Sequence, residues 1–245
     1  MKSTLPHLSA ILLLTFASLI SSTIGDIANL TFYGVWIGAG PQAIITKFES
    51  TLVLPGGSPD QSPTHDVQAF WPGMEPAKSN AVFQNVITNQ GGGPGECPAT
   101  NLTEQMRVWP GDTVKNVFTL DIPNGKWYNN WVVTPGEQGN AAGQQPFGGG
   151  FEFDPAFDTE TKGAPYTGAL LTIELQELGT WDFGSVMWQN VILEANTTET
   201  KWCTDGPSGP KNWNWTASPG TFSTSDKNLT TCYYAMIVLE SPNPN

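Results

Sequence analysis

Apolar positions along this chain fall in short runs that alternate with polar ones or are rich in β-branched residues, each bounded by Gly, Pro or Asn. Such runs occupy 43–54, 67–71, 81–88, 113–122, 126–134, 169–176, 185–194 and 233–239. A period of two puts alternate side chains on opposite faces, which is the requirement of a half-buried strand. The stretches between them, 55–63, 90–98, 135–150 and 204–225, are turn-rich and carry no helical period. None is long enough to divide two domains, and no repeat of fixed period occurs. Eight strands are therefore expected in one all-β domain, an antiparallel β-sandwich. In the run at 169–176, Thr172 and Glu174 alternate with Leu171, Ile173 and Leu175, so one face should carry polar groups and the other should feed the core.

The first 25 residues follow another pattern. Lys2 precedes an apolar run from Leu8 to Ile20, and small residues follow from Ser21 to Gly25, which is the order of a secretory signal peptide. The run is shorter than the roughly 20 apolar residues of a membrane span, and Ser9, Thr15 and Ser18 interrupt it. Export with cleavage near Gly25/Asp26 is expected, leaving a secreted, extracellular domain of 26–245 that is not held by a membrane. About 220 residues suffice for a single sandwich core.

Composition agrees with many strands joined by turns: 26 Gly, 20 Pro and 11% aromatic residues against 13% charged. The formal charge of −12 opposes binding to nucleic acid or to anionic membranes. An acidic pI near 4.4 suits acidic surroundings and equally suits plain solubility. Three cysteines in an oxidising compartment predict one bridge; Cys203 to Cys232 is the pairing expected, which leaves Cys97 free or bridged to another molecule, and the other pairings stay open. With His7 and His65 as the only histidines, no metal site or other cofactor is called for, and a monomer is expected. N-x-S/T triplets at Asn29, Asn101, Asn196, Asn214 and Asn228 predict surface glycosylation.

Few residues remain to carry chemistry. His65, in Ser62-Pro63-Thr64-His65-Asp66, would have to serve any Ser–His–Asp triad, and no nucleophile elbow is present, so a solvated loop histidine is the simpler account. Gly91–Gly93 and Gly148–Gly150 lack the Lys and helix of a phosphate loop and read as turns. Acid–base work falls to carboxylates: Glu75, Glu96, Glu104, Glu137, Glu152, Asp154, Glu174, Glu177, Asp182 and Glu194. Glu174 stands out because it lies in a strongly apolar strand, where desolvation would raise its pKa; the alternative is an outward-facing residue in water. Gln84 and Asn85 place amides in a second apolar strand, as oxyanion donors or as satisfied sheet amides.

Several segments in order give a further pointer. Val35-Trp36-Ile37-Gly38-Ala39-Gly40 and the strand Ile45 to Pro55 resemble the opening of the fungal glutamic peptidases, the eqolisins. Trp71-Pro72-Gly73-Met74-Glu75 resembles that family's W-V-G-I-D, Trp109-Pro110-Gly111-Asp112-Thr113-Val114 its A-G-D-x-I turn, and Asp182-Phe183-Gly184-Ser185-Val186 its D-F-G-x-V strand. The resemblance implies a jelly-roll sandwich of the concanavalin A type, and a glutamate that activates water while a glutamine amide steadies the oxyanion. Gln84 matches the glutamine. The family's A-E-W-I-V-E strand aligns with Ala169 to Glu174, so Leu170 stands where the catalytic glutamate is expected and Glu174 lies about 13 Å further along.

Two functions follow. One is an acid-active endopeptidase taking a polypeptide substrate, with Gln84 and Glu174 catalytic and Trp71 and Glu75 shaping the cleft. The other is a non-peptidase sandwich that binds or processes a glycan or other small ligand. Its support is Leu170 in the place of the family's glutamate and the aromatic supply in Trp127, Tyr128, Trp131, Trp181, Trp188, Trp202, Trp213 and Trp215, with Glu174 and Asp182 or Glu194 as a carboxylate pair.

Overall fold

The structure, a computed structural model, describes residues 10–13, 30–40, 43–56, 67–77, 81–88, 106–157, 163–176 and 179–242, with the backbone alone at 10–13, 106 and 107. The strands are β1 (Ala10–Leu13), β2 (Thr31–Gly38), β3 (Ile45–Val53), β4 (Gln68–Pro76), β5 (Phe83–Gln84), β6 (Val86–Thr88), β7 (Met106–Val108), β8 (Thr113–Asp121), β9 (Lys126–Thr134), β10 (Phe147–Phe153), β11 (Tyr166–Leu175), β12 (Val186–Ala195), β13 (Trp215–Ala217), β14 (Thr221–Thr224) and β15 (Thr230–Leu239). Two short helices, α1 (Glu137–Ala141) and α2 (Lys201–Thr204), lie in connections. The chain is all-β, and its two antiparallel sheets pack as a sandwich.

The first sheet runs β2-β11-β4-β6-β1-β7, with β5 also on β4; the second runs β10-β9-β8-β3-β12-β15-β13, with β14 also on β15. Alternation decides which side chains meet between them. Phe70, Met74, Phe83, Ile87, Leu171 and Ile173 point inward from the first sheet, against Phe48, Leu52, Val114, Phe118, Trp127 and Trp188 of the second. Phe83 is the hub: its ring lies 5.1 Å from Phe118, 5.1 Å from Phe153 and 5.8 Å from Tyr166. Burying each such side chain contributes roughly 1.5–3 kcal/mol.

All eight predicted runs contain strand, but the sequence pattern missed others. Gly148, Gly149 and Gly150 are not a turn; they pair with Val132, Trp131 and Asn130 inside β10. A Cβ on Gly149 would come within 2.9 Å of the Trp131 ring, so the missing side chains let an edge strand lie against a tryptophan. The stretch 204–225 holds β13 and β14 as well as turns, because β15 is long enough to pair with both. Strand β2 was also unforeseen; it joins β11 along eight residue pairs.

The backbone of Ala10–Leu13 pairs with Val86–Thr88 on one side and Met106–Val108 on the other. These four residues fall inside the stretch read as an export signal, so its removal would take a strand out from between β6 and β7. Cys203 and Cys232 form the expected disulfide, with Cα atoms 5.6 Å apart, clipping α2 to β15. No helix among the described residues is long and apolar enough to cross a membrane. Cys97, His65, Gly91–Gly93, Asn29, Asn101, Glu96, Glu104 and Glu177 lie outside the described residues.

Candidate functional site

The site-bearing surface is the outer face of the first sheet. Strands β4, β5 and β11 stand side by side there, and pairing fixes which residues share a row. Gly73 lies opposite Gln84 on one side and Leu170 on the other, and Leu170 lies opposite Trp36. One row runs Trp36–Leu170–Gly73–Gln84. A second, two residues along, runs Gly34–Thr172–Trp71; a third, two further, runs Phe32–Glu174–Ala69–Thr88.

Gln84 and Glu174 therefore share a face but not a place. They are two strands apart across the sheet, roughly 10 Å, and four residues apart along it, about 13 Å. Glu174 is also engaged: Trp71 Nε1 donates to its Oε2 at 2.9 Å and Gln176 Nε2 to its Oε1 at 2.9 Å. The structure brings Trp71 and Glu174 together and keeps Glu174 away from Gln84. Leu170 occupies the row of Gln84, two strands away.

Gln84 is half-buried, and its Oε1 is sealed from solvent without a hydrogen-bond partner. An unpaired buried oxygen costs on the order of 1–3 kcal/mol, which native folds tolerate mainly where a group has another use. With the oxygen sealed, the NH₂ is the end of the amide left to meet a ligand. Gly73 makes room beside it: a Cβ there would lie 3.1 Å from Gln84 Cβ, 3.1 Å from Val82 and 3.0 Å from the Trp71 ring.

Glu75 lies on the same face two residues beyond Gly73, opposite Gly168. It is half-buried, and that burial pushes its carboxyl above the ordinary glutamate value. The neighbouring strand is bare here to admit a ring: a Cβ on Gly168 would fall 1.7 Å from Trp36 Cζ2, and one on Gly38 2.7 Å from Trp36 Nε1. The indole of Trp36 thus lies over two glycines beside Glu75.

This face is less polar than the alternation suggests. Ala69, Trp71 and Val86 form a second apolar cluster there, with Val67, Val82 and Leu170 packed against it. Thr172 is buried with its hydroxyl unpaired.

Behind the face, Asn85 interrupts the predicted strand at 81–88. It turns its side chain into the core, where Asn85 Nδ2 donates to Asn116 Oδ1 at 2.7 Å and to Asn129 Oδ1 at 2.8 Å. Its backbone N–H bonds Pro72 O at 3.2 Å. The residue next to Gln84 is thereby tied to the other sheet. Asn116 and Asn129 escaped attention in the sequence, though each sits at an inward position, between Val114 and Phe118 and between Trp127 and Trp131.

Asp182 donates its backbone N–H to Gln68 Oε1 at 3.0 Å, beside the row of Glu174, while Glu194, Glu152 and Asp112 lie elsewhere. Glu194 pairs with Lys47 on the outer face of the second sheet, so it cannot form a catalytic pair with Glu174. Glu152 is exposed and bonded to Lys126 and Tyr128, whose contacts lower its pKa. Buried Asp112 holds a corner, accepting from Trp109 N at 2.8 Å and Gly136 N at 2.7 Å. Of the tryptophans that could stack on sugars, Trp127, Trp131, Trp181, Trp188 and Trp213 are core residues, and Trp202 and Trp215 pack against the core. Asn196, Asn214 and Asn228 are exposed. No group of His, Cys, Asp and Glu among the described residues is arranged to hold a metal. No family model and no curated protein matches the chain.

Proposed function

We propose that this protein is a secreted, acid-active endopeptidase that works on the outer face of its first sheet. An extended polypeptide lies along the rows, the Gln84 amide donates to the carbonyl oxygen as it becomes an oxyanion, and a carboxyl of the same face activates water. The observation that carries this reading is Gln84 itself, held with its oxygen sealed and unpaired beside the bare backbone of Gly73.

The resemblance to glutamic peptidases and the acidic composition support it, and the disulfide together with the signal-like leader supports secretion. Of the aromatic residues behind the glycan reading, five tryptophans are core residues, Trp202 and Trp215 are partly buried and Tyr128 is exposed. The deciding assay is hydrolysis of an acid-denatured protein by the secreted chain between about pH 3 and 6 in the presence of pepstatin. Cleavage that disappears in Gln84→Ala is the expected result. Absence of cleavage throughout that range would end the proposal.

A further inference from the structure

We infer that Glu75 is the carboxyl that works with Gln84, activating the attacking water and then returning its proton to the leaving nitrogen. The inference rests on the endopeptidase reading and names the group that reading leaves open.

The register carries it. Gly73 is opposite Gln84, and Glu75 is two residues beyond Gly73 on the same strand, so Gln84 and Glu75 are diagonal neighbours on one face. Diagonal pairs stand roughly 7–8 Å apart, and two long side chains at that spacing leave room for one water between carboxyl and carboxamide. Glu174 does not offer this: it is displaced about 13 Å along the sheet, and both of its oxygens already accept hydrogen bonds.

Among the described residues, the groups facing Glu75 are uncharged. On its β11 side stand Gly168 and Leu170, with the Trp36 indole lying over Gly168. On its β5 side Met74 pairs with Phe83, which sets Val82 opposite Glu75, and Gln84 follows. Its position among apolar neighbours favours the protonated carboxyl, and burial is the sole cause of its upward shift.

The steps balance. The ionised Glu75 carboxylate removes a proton from water as the water oxygen bonds to the scissile carbonyl carbon, and the C=O π pair moves to oxygen. Gln84 Nε2–H donates to that oxyanion. The pair then returns to re-form C=O as the C–N bond breaks, and the Glu75 acid protonates the departing nitrogen, releasing a carboxylic acid and an amine.

The test uses the secreted chain and a set of internally quenched peptides across about pH 2 to 7. Glu75→Gln should lower kcat/KM by roughly 100-fold or more, and Gln84→Ala by a comparable factor. Glu174→Gln should cost less than about tenfold, acting through Trp71. The acid limb of the wild-type profile should lie above 4.5 and vanish from the residual activity of Glu75→Gln. Glu75→Asp, which keeps the carboxyl, should retain part of the activity and guards against a folding defect in the first variant. Full activity of Glu75→Gln alongside an inactive Gln84→Ala overturns this inference and leaves the endopeptidase reading standing. A wild type that cleaves none of the peptides overturns both.

Discussion

Asn85 of the first sheet and Asn129 of the second exchange hydrogen bonds across the core: Asn85 Nδ2 donates to Asn129 Oδ1 at 2.8 Å, and Asn129 Nδ2 to Asn85 Oδ1 at 2.5 Å. Both residues are essentially inaccessible to solvent. Asn85 also donates to Asn116, so three amides from two sheets satisfy one another where a hydrophobic sandwich would normally place alkyl groups. The chain position next to Asn85 is Gln84, so this contact anchors the backbone that carries Gln84. Asn85→Ala should destabilise the fold by about 3 kcal/mol, since partners on the second sheet lose their bonds while staying buried. In a cycle with Asn129→Ala the two losses should fall well short of adding, which urea titration of the four proteins measures.

Glu75 gives a pH signature that does not depend on activity. Its folded pKa lies above the ordinary 4.5, so the fold favours its protonated form. The stability linked to that proton is fully present below the unfolded value and is lost as pH rises through the folded one. Glu75→Gln, which mimics the neutral acid, should therefore melt higher than wild type at neutral pH, with the gap closing below 4.5. Thermal melts at a series of pH values check this. Glu49 behaves in the opposite sense: despite burial, hydrogen bonds from Lys115 and Lys47 lower its pKa, so its contribution is present above 4.5 and fades as pH falls through the lowered value.

The clip between α2 and β15 closes a separation of 29 residues. A loop of that size should contribute about 3–4 kcal/mol by restricting the unfolded chain. Cys203→Ser with Cys232→Ser should shift the urea midpoint accordingly, and reduction of the wild type should reproduce the shift.

Trp36 depends on two residues that contribute no side chain. Gly168→Ala would drive a methyl to 1.7 Å from its ring, and a Cβ on Gly38 would come within 2.7 Å of its Nε1. The ring must leave the face, and a loss of several kcal/mol is expected. Altered tryptophan emission together with a lower melting temperature would show it; an unchanged spectrum would place Trp36 elsewhere.

The export reading has its own measurement. Mass spectrometry of protein secreted from a eukaryotic host should find a start near Asp26 and carbohydrate on Asn196, Asn214 and Asn228, which are exposed. A retained Met1 would instead keep Ala10–Leu13 as part of the first sheet.

Local pattern carried much of the architecture. The alternation of Leu171, Ile173 and Leu175 with Thr172 and Glu174 identified an inward and an outward face before any pairing was known, and the inward residues are core. Strands without that alternation were hidden: Phe147 to Phe153 reads as a glycine-rich turn because its apolar partner, Trp131, is supplied by the neighbouring strand. The break at Asn85 was hidden for a related reason, since the amides that hold it come from 31 and 44 residues away.

The sequence by itself determined the β class and the faces of its long strands, because period and polarity are local properties of the chain; it offered Cys203–Cys232 as one pairing among those open to three cysteines, and Gln84 became a candidate through the resemblance to glutamic peptidases. Only the tertiary structure decided which residues stand beside Gln84. Register between strands distant in sequence put Gly73 opposite it and Glu75 diagonal to it, left Leu170 in its row, and bound Glu174 to Trp71 further along the face. A shift of one pair in that register would turn every side chain to the other face, and no single strand's sequence fixes it.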